Sequence, residues 1–304
     1  MRNIENQECK KNVPNSLFPI FHSQILILIV FLLSCATPGK PAVAQSPQEV
    51  FPQWESFAED SVDGLVYCTG KISSPRLEFH ALRVDLSNPE LRIFVAGGAG
   101  SSDAVLSIKV SSFVRENNLL AGINALPFDT SSEREGEPRT NVGIVIADGV
   151  MISAPHPEFD ALVFYSDGSA AIEAQSGIRS VENIQNAVGG FRRILEAGGL
   201  VPRVLDLETR HPRSAAGISS DGRFLYLMVI DGRRFGSVGS TEAETALLLR
   251  VLGASEGINL DGGGSSALAL RSSDGSVQVI NTPVHDNIPG RERAVAGCLG
   301  VGVY

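Results

Sequence analysis

The sequence predicts an α+β fold in one domain: a large, mostly antiparallel β-sheet core with a few packed helices. Short apolar runs separated by turn residues dominate the chain, as expected of β-rich cores. Asp-Gly pairs stand between apolar runs at Asp148-Gly149, Asp167-Gly168, Asp221-Gly222 and Asp274-Gly275, where glycine accepts the positive φ of a tight hairpin turn. Helical spacing, by contrast, is confined to two stretches.

The first 44 residues read as a signal peptide or membrane anchor. Ile25 to Leu33 is unbroken hydrophobic chain behind Arg2, Lys10 and Lys11, and Ala42-Val43-Ala44 supplies a small-x-small cleavage pattern. Leu32-Leu33-Ser34-Cys35 also resembles a lipoprotein box, and Phe18 to Ala36 approaches the length of a membrane span. Each reading exports the rest of the chain, to a periplasmic or extracellular location, with membrane contact only through this segment. Residues 45–58 read as a polar linker and 59–304 as the folded domain.

Within the domain, Leu77 to Leu86 and Leu91 to Ala96 read as a hairpin or neighbouring strands around Asn88-Pro89, and Ser107 to Asn118 as a helix. Ala121 to Ala125 is a buried strand that breaks into a loop, and residues 130–140 form a polar excursion. Hairpins follow at Ile144–Ile152, Ala161–Ile172 and Ala216–Ile230. Thr241 to Leu252 is the clearest helix, with Thr241 and Glu244 as a capping box and Gly253 as its stop. Gly257 to Leu260, Ala267 to Arg271, Val277 to Ile280 and Val295 to Val303 complete the strands.

A net charge of −9, from 25 Lys and Arg against 34 Asp and Glu, excludes a nucleic-acid partner, which needs a concentrated basic surface. Cys68 and Cys298 lie near opposite ends of the domain, either as a disulfide joining first strand to last or as two buried thiols. The sequence does not fix the oligomeric state.

Asn259-Leu260-Asp261-Gly262-Gly263-Gly264-Ser265-Ser266 carries the strongest chemical signal. Three glycines after a buried strand raise the entropic cost of folding, but they let main-chain N–H groups approach an anion closely. Arg213 opens the third hairpin and Asp231-Gly232-Arg233 closes it, so arginines and a carboxylate are delivered to one end of a strand pair. An Arg213–Asp231 salt bridge is the structural alternative. Glu242, in the first turn of its helix, reads as a charge favourable to the helix N-terminus. His211 and His285 sit in polar, Pro-adjacent loops and are expected to be dispensable.

Five ordered motifs resemble the phosphodiester glycosidase family: Ala121-Gly122-Ile123-Asn124, Ala187-Val188-Gly189-Gly190, His211-Pro212-Arg213-Ser214 with Asp231-Gly232-Arg233, Asn259 to Ser266, and Arg291 to Ala296. The resemblance implies hydrolysis of a sugar-1-phosphodiester, similar to an N-acetylglucosamine-1-phosphodiester, in cell-surface polysaccharide metabolism. In that reading Asp231 and Asp261 are the catalytic acids, with Arg213 on the phosphate. Asn124, Gly189, Gly190, Arg233, Asn259, Gly262, Gly263, Gly264, Ser265 and Ser266 bind the carbohydrate phosphodiester. No cofactor is expected, although Asp231, Asp261 and Asn259 offer oxygens to Ca²⁺ or Mg²⁺ in a rival reading as a metal-assisted phosphodiesterase. A non-catalytic module binding anionic polysaccharide is the other rival. The chain departs from the family pattern twice, with Ala125-Leu126 after Asn124 where two glycines are usual and Gly297 after Ala296 where Asn is common.

Overall fold

Apolar alternation along the strands builds three main sheets around a shared interior. The computed structural model describes residue 55 and residues 62–96, 104–130 and 134–303. The signal or anchor segment and nearly all of the linker lie outside the described residues.

The largest sheet has seven strands in the order Leu65–Ser73, Arg76–Asp85, Phe224–Ile230, Arg213–Ile218, Glu256–Asn259, Arg192–Glu196 and Gly199–Leu200. Every neighbour pair in it is antiparallel. A five-stranded sheet runs Ala170–Ala174, Asp160–Tyr165, Ile184–Gly189, Val145–Ala147 and Val150–Ser153; a second runs Val277–Val279, Leu268–Arg271, Ala121–Asn124, Cys298–Val303 and Leu91–Val95. Inward residues of all three, among them Leu82, Leu227, Ile258, Ile123, Leu299, Leu162 and Val188, form one core.

The two α-helices among the described residues seal outer faces. Glu242–Leu252 lays Ala246, Leu249 and Leu252 on the far side of the seven-stranded sheet, against Ala215, Met228 and Leu195. Thr241 caps it as expected: its side chain accepts the Glu244 N–H while the Glu244 carboxylate accepts the Thr241 N–H. Val110–Glu116 places Val110, Phe113 and Val114 over Ala267, Ala269 and Cys298. This helix is shorter than the span 107–118 expected from the sequence. With two α-helices among so many strands in the described residues, the fold is α+β by class and mostly β by content.

Two expectations are corrected, and of the two alternatives for the cysteines the structure has the second. Arg76–Asp85 and Leu91–Val95 are not partners: the corner held by Asp85 Oδ1, which accepts the Ser87 N–H at 3.0 Å, sends the second strand into another sheet beside Cys298–Val303. Residues 138–141 form a strand between Ala104–Leu106 and Phe128–Thr130 rather than a free excursion. Cys68 and Cys298 are buried free thiols in different apolar clusters, and burial pushes the Cys68 thiol up to about 12.

Candidate active site

The antiparallel register brings the start of Arg213–Ile218 and the ends of Phe224–Ile230 and Glu256–Asn259 to one edge of the seven-stranded sheet, since Arg213 faces Ile230 and Ala215 faces both Met228 and Asn259. At that edge lies a cleft of about 580 Å³, lined by Arg213, Arg233, Arg293, Asp261 and Gly262 to Gly264, with Phe191, His211, His285, Asp286 and Asn287 completing its walls. A chain of net charge −9 thus concentrates three guanidiniums around a single cavity. Such a wall favours an anionic ligand.

Asp261 follows the strand Glu256–Asn259. Its backbone is pinned on both sides, its N–H donating to Ala125 O at 2.8 Å and its carbonyl accepting from Asn124 Nδ2 at 2.6 Å. Burial lifts its carboxyl to about 6, against the opposing pulls of a Ser265 hydrogen bond, the Arg293 charge and the Gly262 N–H. Ser265 Oγ stands 3.5 Å from Arg293 Nη1, so it links this carboxylate to that guanidinium.

Asp231 does not face the cleft. It is 1% exposed; Oδ1 accepts Asn281 Nδ2 and Thr282 N at 3.1 and 3.0 Å, and Oδ2 accepts Arg234 Nη2 at 2.5 Å. Arg234 also reaches Glu78 Oε2. The same Asn281 amide donates to Ser266 O, so the buried Asp231 network supports the glycine loop from below. The two acids therefore do not confront each other across the cavity as the sequence suggested.

Asn124 is fully buried and engaged: Oδ1 accepts the Ser214 hydroxyl at 2.6 Å and the Ala267 N–H at 3.1 Å. It fastens two sheets to the Asp261 backbone rather than lining the cavity. Gly189 and Gly190 donate their N–H groups to Ile144 O and Asp160 O and also lie outside the cleft. Asn259 is 1% exposed, its carbonyl accepting the Phe191 N–H at 2.9 Å while Oδ1 has no hydrogen-bond partner among the described residues. Ser266 is buried behind the loop.

The triglycine is not a nest of three open donors. The Gly262 N–H is given to Asp261 Oδ1 and the Gly263 N–H to Pro212 O, which leaves Gly264 as the one of the three without an acceptor among the described residues. Close approach is the reason for glycine at 263: φ is +63°, and a Cβ there would stand 3.0 Å from Arg233 Nη2.

The expected alternative pairing of Arg213 with Asp231 is absent. Arg213 Nη1 lies 3.7 Å from Glu242 Oε1, whose other oxygen is 3.6 Å from Arg192 Nε. Arg213 also donates to Ser240 O and Thr209 O. Burial presses its guanidinium below the ordinary value, with Glu242 opposing that shift and Arg192 adding to it. Glu242 is 5% exposed and does more than complement a helix terminus, because it bridges two arginines behind the cleft.

Both histidines, expected from the sequence to be dispensable, line the cavity, and so does Arg293, which the sequence placed only within a motif. Burial, then the Arg213 and Arg233 charges, hold the His211 imidazole below its ordinary value. His285 Nε2 is 3.5 Å from Asp286 Oδ2, and that carboxylate also receives Arg291 Nη1 at 2.8 Å. Asp286 and Asn287, with φ of 51° and 60°, form the turn that carries them over the cavity. Arg293 lies in the Arg291–Ala296 motif and was the only sequence signal for this wall. Among the described residues no three His, Cys, Asp or Glu side chains gather as a metal site, and of Asp231, Asp261 and Asn259 only Asp261 reaches the cavity.

Residues 117–302 match the model of the phosphodiester glycosidase family, and the chain belongs to that family. Among its relatives is the SPbeta prophage-derived uncharacterized protein YomE of Bacillus subtilis (strain 168), 26% identical over 272 residues, which are 83% of this chain and 38% of that one. The chain thus spans well under half the length of that curated relative. Among solved structures, the catalytic domain of zebrafish N-acetylglucosamine-1-phosphodiester α-N-acetylglucosaminidase, auto-inhibited by its pro-peptide, superposes with a TM-score of 0.63 at 20% identity, over 83% of this chain and 88% of that one. A hypothetical protein from Synechocystis does so with a TM-score of 0.61 at 14% identity, over 80% and 63%. These likenesses establish the shared fold.

Proposed function

We propose that the protein hydrolyses a sugar-1-phosphodiester at the anomeric C–O bond, releasing free sugar and a phosphomonoester. Family membership supports the reaction class, and the zebrafish neighbour's name supports an N-acetylglucosamine-like sugar. The observation that carries the reading is the placement of Asp261, with its carboxyl lifted to about 6, in a cavity walled by three arginines.

The chemistry follows from that placement. A phosphate leaves without needing a proton, so catalysis rests on holding the charge that grows on it as the C–O bond breaks. Arg213, Arg233, Arg293 and the Gly264 N–H are the groups for that task. Asp261, ionised above about pH 6, takes a proton from the water that attacks the anomeric carbon. Asp231 is reassigned from catalysis to holding the floor of the glycine loop. No cofactor enters this scheme. The export reading of residues 1–44 supports a substrate met outside the cytoplasm, in cell-surface polysaccharide metabolism.

Sugar release from an N-acetylglucosamine-1-phosphodiester tests the proposal. The wild type releases sugar and Asp261→Asn loses at least about a hundredfold in turnover; equal turnover of the two removes Asp261 from the chemistry.

A further inference from the structure

The cavity's lining is uneven in its chemistry. Around the strand Glu256–Asn259, Phe191 is fixed by its N–H to Asn259 O, and Asp261 follows the same strand's end. Arg233 packs against Gly263, Arg293 approaches Ser265, and His285 Nδ1 stands 3.1 Å from where a Cβ of Gly264 would be, so those three cluster on the glycine loop. Among the described residues Phe191 is the only hydrocarbon ring in a cavity otherwise lined by charged side chains, histidines, asparagine and glycine.

Its ring also has aromatic support. Phe159 meets it edge-on at 5.4 Å, and His156 stacks on Phe159 at 3.9 Å. The segment bearing Phe159 is tied to the Phe191 segment by Gly190 N–H to Asp160 O at 2.9 Å and Arg193 N–H to Asp160 Oδ2 at 2.6 Å. A partly exposed aromatic surface fixed in advance costs little further order when a ligand covers it.

We infer that Phe191 is the platform for the sugar ring, and that the Arg233–Arg293 side receives the phosphate, with Asp261 between them. This rests on the functional reading above and deepens it. A pyranose is the part of such a substrate with an apolar C–H face, and the one flat apolar surface in the cavity is its complement. The phosphate, fully anionic, belongs where the Arg233 and Arg293 guanidiniums flank the glycine loop. That orientation sets the anomeric carbon, the atom joining the two parts, beside the carboxylate.

Calorimetric titration with two separate probes, N-acetylglucosamine alone and inorganic phosphate alone, tests this on the folded full chain. Phe191→Ala is expected to weaken the sugar about tenfold and leave phosphate affinity within about twofold, Phe191→Tyr to restore the sugar, and Arg233→Ala to weaken phosphate alone. With the phosphodiester as substrate, Phe191→Ala raises KM far more than it lowers kcat. Sugar affinity unchanged in Phe191→Ala, or both probes weakened equally while Phe191→Tyr fails to recover either, overturns the platform but leaves hydrolysis standing. A wild type that binds neither probe and releases no sugar overturns the functional reading as well.

Discussion

Leu126 occupies the space that a side chain at Gly297 would need: a Cβ built on Gly297 would lie 1.8 Å from Leu126 Cδ2. Leu126 is 1% exposed, and the two segments are joined by Ala125 N–H to Gly297 O at 3.0 Å. The two departures from the family pattern thus meet in space, a larger residue on one strand end facing a missing side chain on the other. With this bulky residue in place, Asn124 Nδ2 and Ala125 O hold the Asp261 backbone.

That pairing predicts strong coupling. Gly297→Ala overpacks the site and destabilises the protein by about 1–3 kcal/mol. Leu126→Ala alone leaves a cavity and destabilises by about 2–5 kcal/mol. The double variant should lose much less than the sum, as measured by denaturant unfolding of all four proteins. Strict additivity would show that the two residues do not share that space.

Asp231 and Asp261 should separate by phenotype. Removing Asp231 leaves Arg234, Asn281 and Thr282 N–H facing a vacated buried site, so Asp231→Ala is expected to lose about 3–5 kcal/mol of stability. Whatever folds at low temperature should retain more turnover than Asp261→Asn, which is expected to fold well and be nearly inactive. A stable but inactive Asp231→Ala would return that residue to the chemistry.

The pH response of Asp261 has a definite sign. Its folded pKa of about 6 lies above its unfolded value, so between about pH 4 and pH 6 the folded state binds the extra proton. The stability this group contributes is present below the unfolded value and lost as pH rises through about 6, a change of at most about 3 kcal/mol. Asp261→Asn should therefore stabilise the protein at pH 7 and not at pH 4, while wild-type turnover rises with pH through about 6. Thermal melts across that range, paired with a pH–rate profile, check both; a melting difference independent of pH would place the carboxylate in an ordinary solvated setting.

Glu242 acts through Arg213. Neutralising it in Glu242→Gln removes the charge between Arg192 and Arg213 without removing bulk. The expected outcome is a KM several-fold higher for the phosphodiester and a steeper salt dependence, with the helix still capped by Thr241. Kinetics over a salt series and the far-ultraviolet dichroism of the variant decide this, and an unchanged KM at every ionic strength would assign Glu242 to the helix alone.

What the sequence disclosed was local. The Thr241–Gly253 helix declared both its ends, and the Asp-Gly pairs located hairpin turns, because those signals act over a few residues. The convergence of Arg213, Arg233 and the glycine loop was legible from strand order along the chain. The direction of each acid was not: Asp231 and Asp261 both follow apolar strands, and what separates them is Asn281 and Thr282, fifty residues downstream of Asp231. His285 was hidden for the same reason, since its place in the cavity depends on a short turn packing against Gly264. The Asn88-Pro89 bend was compatible with either a hairpin or a corner between sheets, and the pairing of Leu91–Val95 with the last strand decided it.

The central claim is that the anomeric C–O bond breaks while the arginines keep the phosphate. Hydrolysis of an N-acetylglucosamine-1-phosphodiester in oxygen-18 water, with mass spectrometry of both products, tests it most directly. The account predicts the heavy oxygen in the released sugar and none in the phosphomonoester, with the labelled sugar lost in Asp261→Asn. Heavy oxygen in the phosphate would mean attack at phosphorus, and would contradict it.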